Sequence, residues 1–150
     1  MRANIGWVVL AVAAFPPLAR GATATEAPPL IVAAIEVEPP APSSGTLCKL
    51  RVKISNTAEQ DASNLVFAVK IGGSEMTVYH NHAWMTRVAA GTTATVDLHN
   101  FWVPDAGRRI VEVTLSEARW MKHTTEGETS VTTILGPVEG LPSTLTLDLK

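Results

Sequence analysis

The residues best suited to chemistry gather in Tyr79-His80-Asn81-His82-Ala83-Trp84-Met85, where two histidines stand at i and i+2. On an extended strand that spacing puts both imidazoles on one face, where they can share a metal ion. Met121-x-His123 repeats the geometry with a thioether and an imidazole, and His99 falls on the outward face of another strand pattern. Imidazole combined with thioether suits copper. His80, His82, Met85, His99, Met121 and His123 are therefore the candidate metal ligands, with copper as the candidate ion. Against this reading, His-x-His supplies only two ligands, and no acid adjoins them to orient the rings. The plainer alternative is a polar turn or an exposed strand edge at His80-Asn81-His82.

A second group is aromatic. Tyr79, Trp84, Trp102 and Trp120 are the candidate binding surface, because aromatic side chains anchor interfaces. Trp102 and Trp120 fall at strand ends or loops where they can be exposed, but a tryptophan closing one end of a sandwich core is equally ordinary; Trp84 and Trp102 are read as core and Trp120, between Arg119 and Met121, as surface. Asp97 and His99 share a strand face and suggest an acid–base dyad, but no nucleophile completes it, and cross-strand surface pairing is the commoner use of such residues. The chain holds no G-x-S-x-G elbow, phosphate loop or H-E-x-x-H pattern, so no enzyme is expected. Cys48 lies in LCKLRVKIS, sharing its face with Leu50, Val52 and Ile54 while Lys49, Arg51 and Lys53 face the other way. It reads as a small buried hydrophobe rather than a nucleophile.

The elements that must position these groups are strands. Residues 93–103 alternate, with Val96 and Leu98 on one face and Thr95, Asp97 and His99 on the other. Pro104-Asp105-Ala106-Gly107 then turns the chain into residues 109–115, where Val111, Val113 and Leu115 share a face. Each strand offers one apolar side and needs a partner sheet. Upstream, residues 30–37 form a strand ended by Pro39, Pro40 and Pro42, residues 46–55 a second, and residues 64–71 a third, with Leu65, Phe67, Val69 and Ile71 aligned. A turn at Gly72-Gly73-Ser74 leads to a fourth strand over 76–88. Residues 116–128 lack clear periodicity and read as a strand end and loop, with a short helix from Ser116 as the alternative. Residues 129–135 restore a β-branched pattern, and Leu145, Leu147 and Leu149 alternate in a last strand. Seven or eight short strands with no helix between them predict an all-β, Ig-like antiparallel β-sandwich.

The start of the chain differs in character. A basic Arg2, an apolar run over 5–15, Pro16-Pro17 and Ala22-Thr23-Ala24 fit a secretory signal peptide over residues 1–24, leaving a domain over 25–150 with a C-terminal extension. The apolar run falls short of the roughly 20 residues that span a bilayer. With Arg2 and Arg20 in the leader, ten basic and fourteen acidic side chains remain, a formal charge of −4. Nucleic acid and anionic membrane surfaces are thus poor partners, and no membrane insertion is expected after cleavage. A single cysteine permits no internal disulfide, so core packing alone must stabilise the exported domain.

Three pieces in order resemble the bacterial Ig-like modules called CARDB-type, or cell-adhesion-related, domains. The first is Leu50-Arg51-Val52-Lys53-Ile54-Ser55-Asn56 followed by Ala62-Ser63-Asn64-Leu65-Val66-Phe67-Ala68-Val69, similar to that family's strand, asparagine-containing bend and next strand. The second is Val88-Ala89-Ala90-Gly91-Thr92-Thr93-Ala94-Thr95-Val96, similar to its glycine turn and following strand. The third is Trp102-Val103-Pro104-Asp105-Ala106-Gly107-Arg108-Arg109-Ile110-Val111-Glu112-Val113, similar to its Pro-x-x-Gly turn. The resemblance covers residues 47–115 and departs from the family pattern where Thr57-Ala58 follows Asn56 in place of a glycine. It implies a non-catalytic module on an exported protein; the leader, the strand count and the lack of catalytic motifs add the expectation of a periplasmic or secreted domain that acts through its surface on a protein partner.

Overall fold

Runs of Val, Ile, Leu and Thr with period two, bounded by Gly and Pro, become strands because the pleat sends alternate side chains to opposite faces. The structure, a computed structural model, describes residues 28–80, 87–103 and 109–149, with the side chains at 78–80 and 109 left out. Eight strands follow in order: β1 (Leu30–Glu38), β2 (Leu47–Asn56), β3 (Asp61–Ile71), β4 (Ser74–His80), β5 (Thr93–Trp102), β6 (Arg109–Glu126), β7 (Thr129–Pro137) and β8 (Ser143–Leu149). One sheet has the order β1-β2-β5. The other runs β4-β3-β6-β7, with β8 also on β6, and every pairing is antiparallel. First, second and fifth strands on one sheet and third and sixth on the other is the Ig-like arrangement. No helix occurs among the described residues.

The inward faces meet in one core. Cys48, Leu50, Val52 and Ile54 of β2 lie against Leu65, Phe67 and Val69 of β3 and Val111, Val113 and Leu115 of β6, all buried. At fully buried sites each such aliphatic contributes roughly 1.5–3 kcal/mol of transfer free energy. That is how a domain whose single cysteine is free holds together.

The connection after β5 crosses between the sheets, and one expectation is corrected. The strands flanking Pro104-Asp105-Ala106-Gly107 do not pair with each other: β5 pairs with β2 and β6 with β3, so the chain passes from one sheet to the other between them. The turn itself lies outside the described residues. Residues 116–126 are not a loop but the continuation of β6. Their periodicity was obscured by irregular register on both sides, between Ser63 and Phe67 on β3 and between Arg119 and Met121 on β6. Buried positions there fall at Leu115, Ala118 and Met121, a spacing of three that breaks a period-two pattern. Asn64, at a φ of 52°, occupies the first irregularity, a conformation that asparagine tolerates better than most residues.

Candidate functional site

The candidate metal ligands among the described residues lie on β4, β5 and β6 of the two sheets. β4 ends at His80, whose Cα partner is Leu65. The His80 and Tyr79 side chains, and all of His82, Trp84 and Met85, lie outside the described residues. On the other side of β3, Asp61 stands opposite Met121, so His123 falls two residues beyond that pair. The backbone at His80 and that at His123 are therefore offset by roughly 20 Å along the strand direction, taking about 3.4 Å per residue. His99 is on β5, in the other sheet, and exposed. His123 is also exposed, with Nδ1 3.0 Å from Thr132 Oγ1. Met121, two residues before it, is 4% exposed. Among the described residues no three His, Cys, Asp or Glu side chains converge. The His80 backbone is thus set apart from Met121 and His123 along the strands, and His99 lies in the other sheet.

Asp97 is committed elsewhere than to His99. Its carboxylate accepts from Lys49 Nζ at 2.8 Å and from Arg51 Nε at 3.0 Å. Arg51 also reaches Glu38 on β1, and Lys53 pairs with Glu36 at 2.6 Å. The basic side of β2 is therefore neutralised from both neighbouring strands. The Lys49 hydrogen bond, with the Lys49 and Arg51 charges, holds the Asp97 carboxyl below its ordinary range. A carboxyl with a lowered folded-state pKa adds stability above its unfolded pKa, and that contribution is lost as pH falls through the folded value. Asp97→Asn should lower the urea midpoint slightly at pH 7, and the gap to the native chain should close as pH drops through the carboxylate range. In 1 M salt, where the Debye length is about 3 Å, the pH 7 gap should shrink too. A gap that persists at pH 3 would show that the ion pairs are not its source.

Cys48 is 1% exposed, burial pushes its thiol pKa up, and its Sγ lies 3.8 Å from the Thr46 carbonyl. A protonated, covered thiol is a poor nucleophile.

The tryptophans reverse their expected places. Trp102, expected in the core, is 66% exposed, and beside it Leu47, its Cα partner across β2–β5, is 49% exposed. The cause is a bulge. Leu50 pairs with His99 but Arg51 pairs with Asp97, so β5 carries one extra residue. The inward set Val96 and Leu98 continues not at 100 and 102 but at Phe101 and Val103, both buried. Trp102 is thereby turned out. Trp120, expected at the surface, is half-buried against the core and lines an open groove of about 730 Å³ with Pro28, Pro29, Thr57, Pro137 and Glu139. Leu47 was not singled out from sequence, although its position one before Cys48 already put it on the outward face of β2.

The segment entering β5 is fixed by polar groups at the β2–β3 corner. Asn56, 1% exposed, donates from Nδ2 to the carbonyls of Gln60 at 2.8 Å and Val88 at 3.1 Å, and its Oδ1 accepts from Ala58 N at 3.0 Å. Asp61 accepts from Ala90 N at 2.9 Å and pairs with Arg87 Nε at 2.9 Å. Asn56 N also donates to Thr92 O at 2.9 Å. Residues 87–92 are thus tied to the β2–β3 corner, which sets where β5 begins. Comparison with protein-family models, curated proteins and solved structures finds no match to the chain.

Proposed function

We propose that the chain is an exported, non-catalytic Ig-like interaction module of the CARDB type, an accessory subunit that docks on a protein partner through Trp102 and Leu47. The observation that carries this reading is the outward Trp102 beside Leu47, at the end of a sheet face otherwise covered by ion pairs. A large aromatic ringed by polar groups is the composition of an interface hot spot, where an apolar anchor is desolvated and the rim excludes water. The leader-like residues 1–24 support export, and a net charge of −4 on the remainder supports a protein partner over nucleic acid.

The test is quantitative affinity capture from periplasmic and membrane fractions with the native chain and with Trp102→Ala. A hot-spot tryptophan is worth 2 kcal/mol or more, so binding of the captured partner should weaken by about 30-fold or more. The variant's unfolding free energy should stay within about 0.5 kcal/mol of the native value, since an exposed side chain is removed. Equal capture by both proteins would remove Trp102 from the interface.

A further inference from the structure

Past the body of the sandwich, β6 and β7 continue as a two-stranded ribbon. From Lys122 to Leu135 every side chain but Thr124 is exposed, including Val131 at 40%, Ile134 at 36% and Leu135 at 46%. Met121 to Glu126 pair with Ile134 to Thr129 in unbroken register, and Gly127, at a φ of 64°, closes the hairpin. A two-stranded ribbon by itself is marginally stable in water and gains from further strands.

The outer edge of β7 is also built unlike the others. Exposed edges are ordinarily blunted by charge, proline or bulges. Here β1 carries Glu36 and Glu38, β4 carries Glu75, β5 carries Asp97 and β8 carries Asp148. Along Thr129–Pro137 there is no charged residue, only Thr, Ser, Val, Ile, Leu and Gly before the terminal Pro137. Among the described residues the sheet order ends at β7, so alternate residues present N–H and C=O groups outward with no described strand beside them.

We infer that β7 pairs edge to edge, antiparallel, with β7 of a second copy of this chain, about a two-fold axis at Thr133. An axis perpendicular to the sheet keeps each face on its own side, so residues of equal parity stand opposite one another. Centred on Thr133, it sets Val131 of each copy against Leu135 of the other, and Thr132 against Ile134. Apolar meets apolar on one face, aliphatic meets the methyl-bearing Thr on the other, and no charge of one copy faces a charge of the other within the strand. The joined ribbons form a four-stranded sheet, β6-β7-β7-β6. Charges on the remaining edges oppose further growth, so the assembly closes as a dimer. This surface is separate from Trp102, and the two are tested separately.

The experiment uses the purified full chain. Sedimentation equilibrium should give twice the chain mass for the native protein and for Trp102→Ala, and the single mass for Thr133→Lys, which sets two ammonium groups against each other at the axis. Under mild oxidation Thr133→Cys should form a covalent dimer, because directly opposed residues in a strand pair have Cβ atoms within about 5.5 Å. Thr129→Cys should not, its two copies standing about 27 Å apart in this register. The native Cys48 is buried and does not interfere. A native chain of single mass at all concentrations, a dimer that survives Thr133→Lys, or cross-linking equal at 129 and 133 would each overturn the pairing.

Discussion

Replacing Asn56 by Ala should lower the unfolding free energy by about 2–4 kcal/mol, although no apolar side chain is lost. Asn56 makes three hydrogen bonds in a buried position, to Gln60 O, Val88 O and Ala58 N. A typical intramolecular hydrogen bond nets roughly 0.5–1.5 kcal/mol, and stranding a buried partner costs a further 1–3 kcal/mol. Val88 O keeps the bond it accepts from Ala62 N at 2.9 Å, which holds the cost below the sum of three full losses. Asn56→Asp separates geometry from chemistry. It has the same shape and keeps the acceptor facing Ala58 N, but it turns a donor into an oxygen aimed at two carbonyls. Burial and those carbonyls raise the carboxyl's folded pKa above its unfolded value near 3.9. An acid that binds its proton more tightly when folded destabilises the native state increasingly above the unfolded pKa, and the penalty fades as pH falls. Urea unfolding at pH 7 and pH 4 should therefore show the Asn56→Asp deficit shrinking at pH 4 and the Asn56→Ala deficit unchanged. Equal deficits at both pH values would mean that the Nδ2 donors contribute little.

The parts of the fold that were legible are those in which alternation runs unbroken. Leu50, Val52 and Ile54 on β2, Leu65, Phe67 and Val69 on β3, and Val111, Val113 and Leu115 on β6 were expected inward and are buried. Reading failed where one residue was added to a strand. The β5 bulge opposite Leu50 and Arg51 exchanged the expected and observed faces beyond Leu98 and turned Trp102 outward. The irregular pairing around Ser63 to Phe67 and Arg119 to Met121 hid the second half of β6 in the same way. A bulge leaves a weak mark in a single sequence because it depends on the partner strand's register. Nor can local spacing assign strands to sheets: the strands flanking Pro104 adjoin in sequence, yet β5 pairs with β2 and β6 with β3. Where His99 and His123 lie relative to the His80 backbone could not be read from local spacing, since placement between strands is a property of register. Asn56 sat within the bend that carried the family resemblance, and its bonds explain why an amide suits that place.

Phe67→Ala should be the most damaging single truncation among the described residues, lowering the unfolding free energy by about 3–5 kcal/mol. Phe67 is the largest fully buried side chain described and sits on β3, the strand between β4 and β6, with Val78 and Leu115 as its Cα partners. Truncation loses the transfer free energy of the ring and leaves a void that strands held on both edges cannot close. Natural domains have roughly 5–15 kcal/mol in total, and Cys48 offers no disulfide to restrain the unfolded chain, so the variant should approach the limit of folding. Phe67→Leu refills most of the volume and should cost under about 1.5 kcal/mol. Trp102→Ala is the control that decides whether burial is the cause. It removes a larger aromatic group, but one that is 66% exposed, and should cost within about 0.5 kcal/mol. Urea midpoints at a shared m-value measure all three. Comparable losses at 67 and 102 would mean that Trp102 is covered in solution, and the Trp102–Leu47 face would then be part of the protein's own packing rather than a place for a partner.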